Sequence, residues 1–204
     1  MPSKHSSARA GNGRADHAVI AMLKEDHTRL KGAFDEFAKL HKQRDEKACA
    51  ELARRTCAAL KAHAELEAQL FYPAARELLD DEDMMEEAEV EHATFKMLMQ
   101  QLEQLDANDA KHAATFTVLA EYVKHHVQEE EKEMFPRIER THGDWSALLE
   151  AMRTQHDELQ RAHGLQAEAE APAAPVRARP STRSAGPASD EARPQAAAES
   201  DDER

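Results

Sequence analysis

The chain has 204 residues, 33% of them charged and 4% aromatic, with a formal net charge of −13. That length buries one core of ordinary size, and the acidity argues against a generic nucleic-acid or anionic-membrane binder. No apolar run approaches the roughly 20 residues of a membrane span, and Met1 to Gly13 lacks a hydrophobic signal core, so the expected compartment is the cytoplasm.

Residues 1–15 are expected to be disordered, and the helical part to run over residues 16–168. No glycine occurs between Gly32 and Gly143, and a stretch without glycine favours helix throughout. The pattern predicts five helices, at about 16–42, 46–80, 83–105, 109–140 and 144–168. Asp16, Asp83 or nearby acids, Asp109 and Asp144 stand where N-caps belong, and Gly143 where a helix stops.

The first helix carries an apolar stripe Ile20, Leu23, Leu30, Phe34, Phe37, which His27 interrupts at a position that continues the helical spacing. In the second, Leu60, Leu70, Ala74 and Leu78 form a stripe that includes His63 and Glu67. The third reads Met85, Ala88, Phe95, Met99, Leu102 with His92 inside it. The fourth reads Phe116, Leu119, Val123, Met134 with His126 and Glu130 inside it. His125, one residue earlier, points about 100° away. The fifth carries Trp145, Leu148, Leu149, Met152 and Leu159, with His156 on the same stripe in a packing or ligand-supporting role.

Two of these stretches repeat each other. His63-Ala-Glu-Leu-Glu67 followed by Phe71-Tyr72-Pro73 returns as His126-Val-Gln-Glu-Glu130 followed by Met134-Phe135-Pro136, displaced by 63 residues (126 minus 63). An imidazole and a carboxylate at i and i+4 share one helix face, so each pair can converge on one metal ion or on two adjacent ones. A buried carboxylate without a partner costs several kcal/mol or protonates, a cost that a metal centre removes. Pro73 and Pro136 each remove a backbone donor and are expected to kink their helices just beyond the pairs.

Asp26-His27, His63-x-x-x-Glu67, Glu91-His92 and His126-x-x-x-Glu130-x-x-x-Met-Phe-Pro, in this order over about residues 16 to 140, resemble the hemerythrin-like (HHE cation-binding) family. The resemblance implies an all-α, up-down antiparallel four-helix bundle, here with an additional C-terminal helix. It also implies two non-haem iron ions in an oxo- or hydroxo-bridged di-iron centre. His27, His63, His92 and His126 would be terminal ligands, and Glu67 and Glu130 would bridge. Oxygen-carrying members have a second histidine one turn after the third-helix one, where this chain has Lys96. That departure favours the branch associated with oxygen or nitric oxide sensing, peroxide breakdown and iron-linked stress responses.

The expected partners are therefore small ligands, O2, peroxide or NO. Three classes remain open: a ligand-binding or sensing protein, a di-iron enzyme that decomposes peroxide or oxidises ferrous iron, and a metal-free helical scaffold. Lys96 is expected to reach solvent, and Tyr122, one turn before His126, either to approach the pocket or to pack in the core. His17, His41, His112, His125, His142 and His163 are expected to be solvated. Cys49 and Cys57 lie about 12 Å apart along one helix, too far for a disulfide. Residues 171–204 hold five of the eight prolines and no Leu, Ile, Met, Phe, Tyr or Trp, so residues 169–204 are expected to be a disordered tail with room for a protein partner.

Overall fold

A computed structural model describes residues 7–107, 109–141 and 145–165, with side chains from residue 15 onward. All of them fall in one compact unit. The expected tail, Asp144 and His142 lie outside the described residues.

The fold is helical, and no strand occurs among the described residues. Helix α1 spans Ser7–Lys42, α2 Glu46–Leu66, α3 Tyr72–Leu78, α4 Glu82–Gln104, α5 Ala110–Glu129, α6 Phe135–Ile138 and α7 Ser146–Ala162. Two π-helical turns, Glu67–Phe71 and Glu130–Met134, join α2 to α3 and α5 to α6 without a break. The chain therefore forms four long helical rods and a fifth helix, α7, which lies against α1 and α2.

Helix ends follow local chemistry. Asp45, Asp81 and Asp109 cap α2, α4 and α5, accepting from the N–H groups of Ala48 at 3.0 Å, Met84 at 3.1 Å and Lys111 at 2.8 Å. Of the expected caps, Asp109 caps its helix, whereas Asp83 lies inside α4 and its neighbour Asp81 takes the role. Asp16 lies inside α1, which starts at Ser7. Gly11 and Gly13 cost about 1 kcal/mol each there, but no proline stops the helix. Helix α7 ends at Gly164, whose φ of 73° suits glycine. The Leu165 N–H reaches back to the Gln160 carbonyl at 2.8 Å and that of Gly164 to Arg161 at 3.1 Å, a Schellman closure.

The π turns change the register of the helices beyond them. In each, an i to i+5 hydrogen bond, Tyr72 N–H to Glu67 O and Phe135 N–H to Glu130 O, accommodates one extra residue. Each ends two residues before a proline at the start of the next helix. The expected proline kinks take this form. Past Glu67 the buried side chains are accordingly Phe71, Tyr72, Ala75 and Leu79, not the expected Leu70, Ala74 and Leu78, which are only half-buried.

The apolar core has two layers. One contains Leu23, Leu66, Phe71, Ala88, Met134 and Phe135, the other Leu30, Leu60, Phe95, Leu119 and Val123. His27 falls between Leu23 and Leu30 in sequence, His63 between Leu60 and Leu66, and His92 between Ala88 and Phe95. A polar layer is thus held between two apolar ones.

Candidate metal centre

Four rods contribute to the polar layer: His27 from α1, His63 and Glu67 from α2 and its π turn, His92 from α4, and His126 and Glu130 from α5 and its π turn. Glu67 is fully buried, Glu130 is 1% exposed and His27 is fully buried. All six residues singled out from the sequence come together. The Nε2 atoms of His27 and His63 are 3.1 Å apart, and those of His92 and His126 are also 3.1 Å apart.

The carboxylates lie between these two imidazole pairs. Glu67 Oε1 is 3.2 Å from His63 Nε2, and its Oε2 is 3.5 Å from His92 Nε2. Glu130 Oε2 is 3.2 Å from His27 Nε2 and 3.7 Å from His126 Nε2. Yet both Glu67 oxygens and Glu130 Oε2 accept no hydrogen bond of proper geometry. Buried carboxylate oxygens left in this way are costly, and a cation between them and the imidazoles relieves that cost. Two groups of potential ligands result, His27, His63, Glu67 and Glu130 in one and Glu67, His92 and His126 in the other, so that Glu67 belongs to both.

The outward nitrogens explain how the inward ones are aimed. His27 Nδ1 is 3.0 Å from Glu131 Oε1, which Lys31 Nζ also holds at 3.0 Å. His63 Nδ1 is 3.4 Å from Asp26 Oδ2, and His126 Nδ1 is 2.6 Å from Glu91 Oε2. A carboxylate at Nδ1 keeps the proton there and leaves the Nε2 lone pair free for a metal. The Asp26-His27 and Glu91-His92 motifs thereby act across helices: each acid orients the histidine of the next rod, not its own neighbour. Asp26 is also paired with Arg29 and lies 3.5 Å from His156 Nε2, so His156 supports the site from behind.

Burial and mutual proximity dominate the electrostatics of these groups. Burial, with His27 nearby, pushes His63 down to about 3, and burial with His126 nearby does the same to His92, also to about 3. Burial, then Glu130, drives the Glu67 carboxyl well above the usual range. For Glu130 burial acts in the same upward sense, but His126 and His27 outweigh it and hold the group low. Burial would lower His126, but Glu130 and Glu91 raise it. The two buried carboxylates thus oppose each other's charge, an opposition that a cation between them relieves.

Tyr72 is a further residue of the site, absent from the sequence-derived set. Its hydroxyl donates to Glu130 Oε1 at 3.0 Å and lies 2.9 Å from His92 Nε2 and 3.3 Å from His126 Nε2. Burial, then Glu130 and Glu67, raises this phenol well above its ordinary value. Its counterpart in the repeat is Phe135, whose ring stacks on His27 at 5.8 Å with an interplanar angle of 8°. The two halves of the site therefore differ: an apolar ring closes the His27 half, and a hydroxyl enters the His92 half.

Tyr122 is 49% exposed and takes no part in the site or the core. The inward stripe of α5 is Leu119, Val123, His126 and Val127, which leaves Tyr122 outside. Lys96 is exposed, as is His125, in line with expectation. His112 departs from it, being buried beside a cavity that Cys49 and the turn between α1 and α2 also line. Cys49 and Cys57 are unpaired with each other.

Residues 18–138 match the family model of the hemerythrin HHE cation binding domain. No curated protein and no solved structure is similar enough to the chain to give a match. No helix among the described residues is long and apolar enough to cross a membrane.

Proposed function

Since the chain belongs to the hemerythrin HHE cation-binding family, we propose that its metal-binding site holds two non-haem irons and reacts with dioxygen, peroxide or nitric oxide. The observation that carries this reading is the pair of donor groups sharing Glu67, with buried carboxylate oxygens that lack hydrogen bonds. The donors fall into two groups that share only Glu67, which suits two adjacent ions, and a mixed nitrogen and oxygen donor set suits iron.

In this reading His27 and His63 would hold one ion and His92 and His126 the other, with Glu67, common to both groups, and Glu130 supplying carboxylate oxygens. When bound, the two ions supply the electrons and the Lewis acidity for reaction with the small ligand. The remaining roles belong to the chain. Asp26, Glu91 and Glu131 hold the imidazoles in one tautomer and orientation. Phe95, whose ring lies 5.3 Å from that of His126, and Phe135 keep water from the donors.

Tyr72 enters the His92 half, whereas Lys96 is exposed. Tyr72 brings a hydroxyl there and donates a hydrogen bond to Glu130 Oε1. A hydrogen-bond donor placed there can hold a peroxide oxygen, which is why we favour peroxide turnover over reversible storage of dioxygen. The test is oxygen release after peroxide is added to iron-loaded protein, with Tyr72→Phe alongside. We expect release by the unmodified protein, and at least about a tenfold loss in Tyr72→Phe with iron content retained. A stable, reversible dioxygen adduct without peroxide turnover would favour a carrier or sensor.

A further inference from the structure

The buried donors are reached from outside through a cleft of about 230 Å3 beside α4 and α5, with His126 and Glu130 among its lining residues. Its walls are carboxylates. Asp83, Glu87 and Glu91 succeed one another at one-turn intervals on α4, as do Glu129 and Glu133 on the opposite rod, and all five line the cleft. No lysine or arginine lines it among the described residues; Arg137 pairs with Asp81 at one edge, at 2.5 Å, and leaves those five carboxylates to the cleft. At its rim, Glu91 and Glu129, which line it, and the exposed His125, which does not, bring one ligand atom each to within 4.8 Å of one another. Glu91 in turn bonds His126 Nδ1, so this outer group is directly joined to the inner one. At the inner end stands Glu130, 1% exposed, with its Oε2 accepting no hydrogen bond.

A second opening, lined by Tyr72, Arg76, Glu89 and His92, differs in charge. There the Arg76 guanidinium pairs with Glu82, with Glu86 at 3.3 Å and with Glu89 at 2.7 Å. One guanidinium thus holds three carboxylates on that side and offsets part of their charge.

We propose that the acid-lined cleft is the route by which a divalent metal cation is loaded into the centre. Glu87 and Glu133 gather the ion, Glu91, His125 and Glu129 form a waypoint, and His126 and Glu130 receive it. The inference rests on the reading that the buried donors hold metal. Like charges along a cleft with low-dielectric walls focus the field and raise the capture rate of a counter-ion by about 10- to 1,000-fold, an effect that salt screens.

The test is the rate at which metal-free protein takes up cobalt(II), followed by stopped-flow absorbance at low ionic strength. Glu87 and Glu133 are exposed, so Glu87→Gln/Glu133→Gln leaves the core intact. We expect this pair to slow uptake about tenfold, with the final amount of bound cobalt unchanged and the difference shrinking as salt is added. The charge-matched control Glu86→Gln/Glu89→Gln should stay within about twofold of the unmodified protein. Equal slowing in both pairs would reduce the effect to net charge and overturn the route, as would no slowing in either. Unmodified protein that binds no cobalt would overturn the metal reading itself, and the route with it.

Discussion

At the residue scale, the helix registers make opposite demands on two adjacent histidines. His126 is buried with its Nδ1 held by Glu91, whereas His125 is exposed and pairs with Glu129 at 3.2 Å. In the proposed centre, replacing His126 by alanine takes away one of the donors, so metal content should fall to half or less. His125→Ala should leave bound metal at equilibrium unchanged, and elemental analysis of both variants checks this. Equal loss would mean that α5 is rotated from the orientation described. Burial pushes the Cys57 thiol up to about 12, which leaves roughly one thiolate in several thousand at pH 8.5, against half in an unfolded chain. Alkylation of Cys57 by iodoacetamide at that pH should be at least about 100-fold slower in native than in denatured protein. Comparable rates would contradict its environment. His27, His63, His92, His126 and both glutamates were legible because each interrupts an apolar stripe at helical spacing. Tyr72 was not. Five residues after Glu67, α-helical geometry turns it about 140° from that face, and only the i to i+5 turn brings it back.

At the scale of elements, the two π turns separate the sequence pattern from the structure most clearly. The repeat and its two prolines were visible, and they do mark irregular backbone. The consequence, a shift of the buried face by one residue, was not, because an uninterrupted α-helical period assigns Leu70 to the core and leaves Phe71 outside. The structure reverses this assignment, with Phe71 fully buried against Phe135 and Trp145 and Leu70 half-buried. Phe71→Ala should therefore destabilise the protein by about 3–5 kcal/mol, and Leu70→Ala by about 1–2 kcal/mol. Urea unfolding of the metal-free variants measures both. A larger loss in Leu70→Ala would show that the helix runs on in α-helical register through Glu67. Gly164 presents a related case. A glycine after an amphipathic run is a stop signal, yet the apolar Leu165 beyond it invites an extension that the Schellman closure prevents.

At the scale of the whole molecule, two apolar layers enclose one polar layer. The bundle is legible from four stripes of similar length because helices with one apolar face must bury it against one another. Less legible is the inequality of the two halves of the site, since Tyr72 and Phe135 differ by one hydroxyl within an otherwise matched repeat. The proposed function requires the polar layer to be a two-metal centre, not a set of satisfied core histidines. Iron and zinc analysis of protein expressed in iron-replete medium and purified aerobically, with its near-ultraviolet and visible spectrum, tests this most directly. A two-metal centre predicts about two irons per chain and charge-transfer absorption that Tyr72→Phe alters. Protein containing a single zinc per chain, or no metal at all, would contradict it.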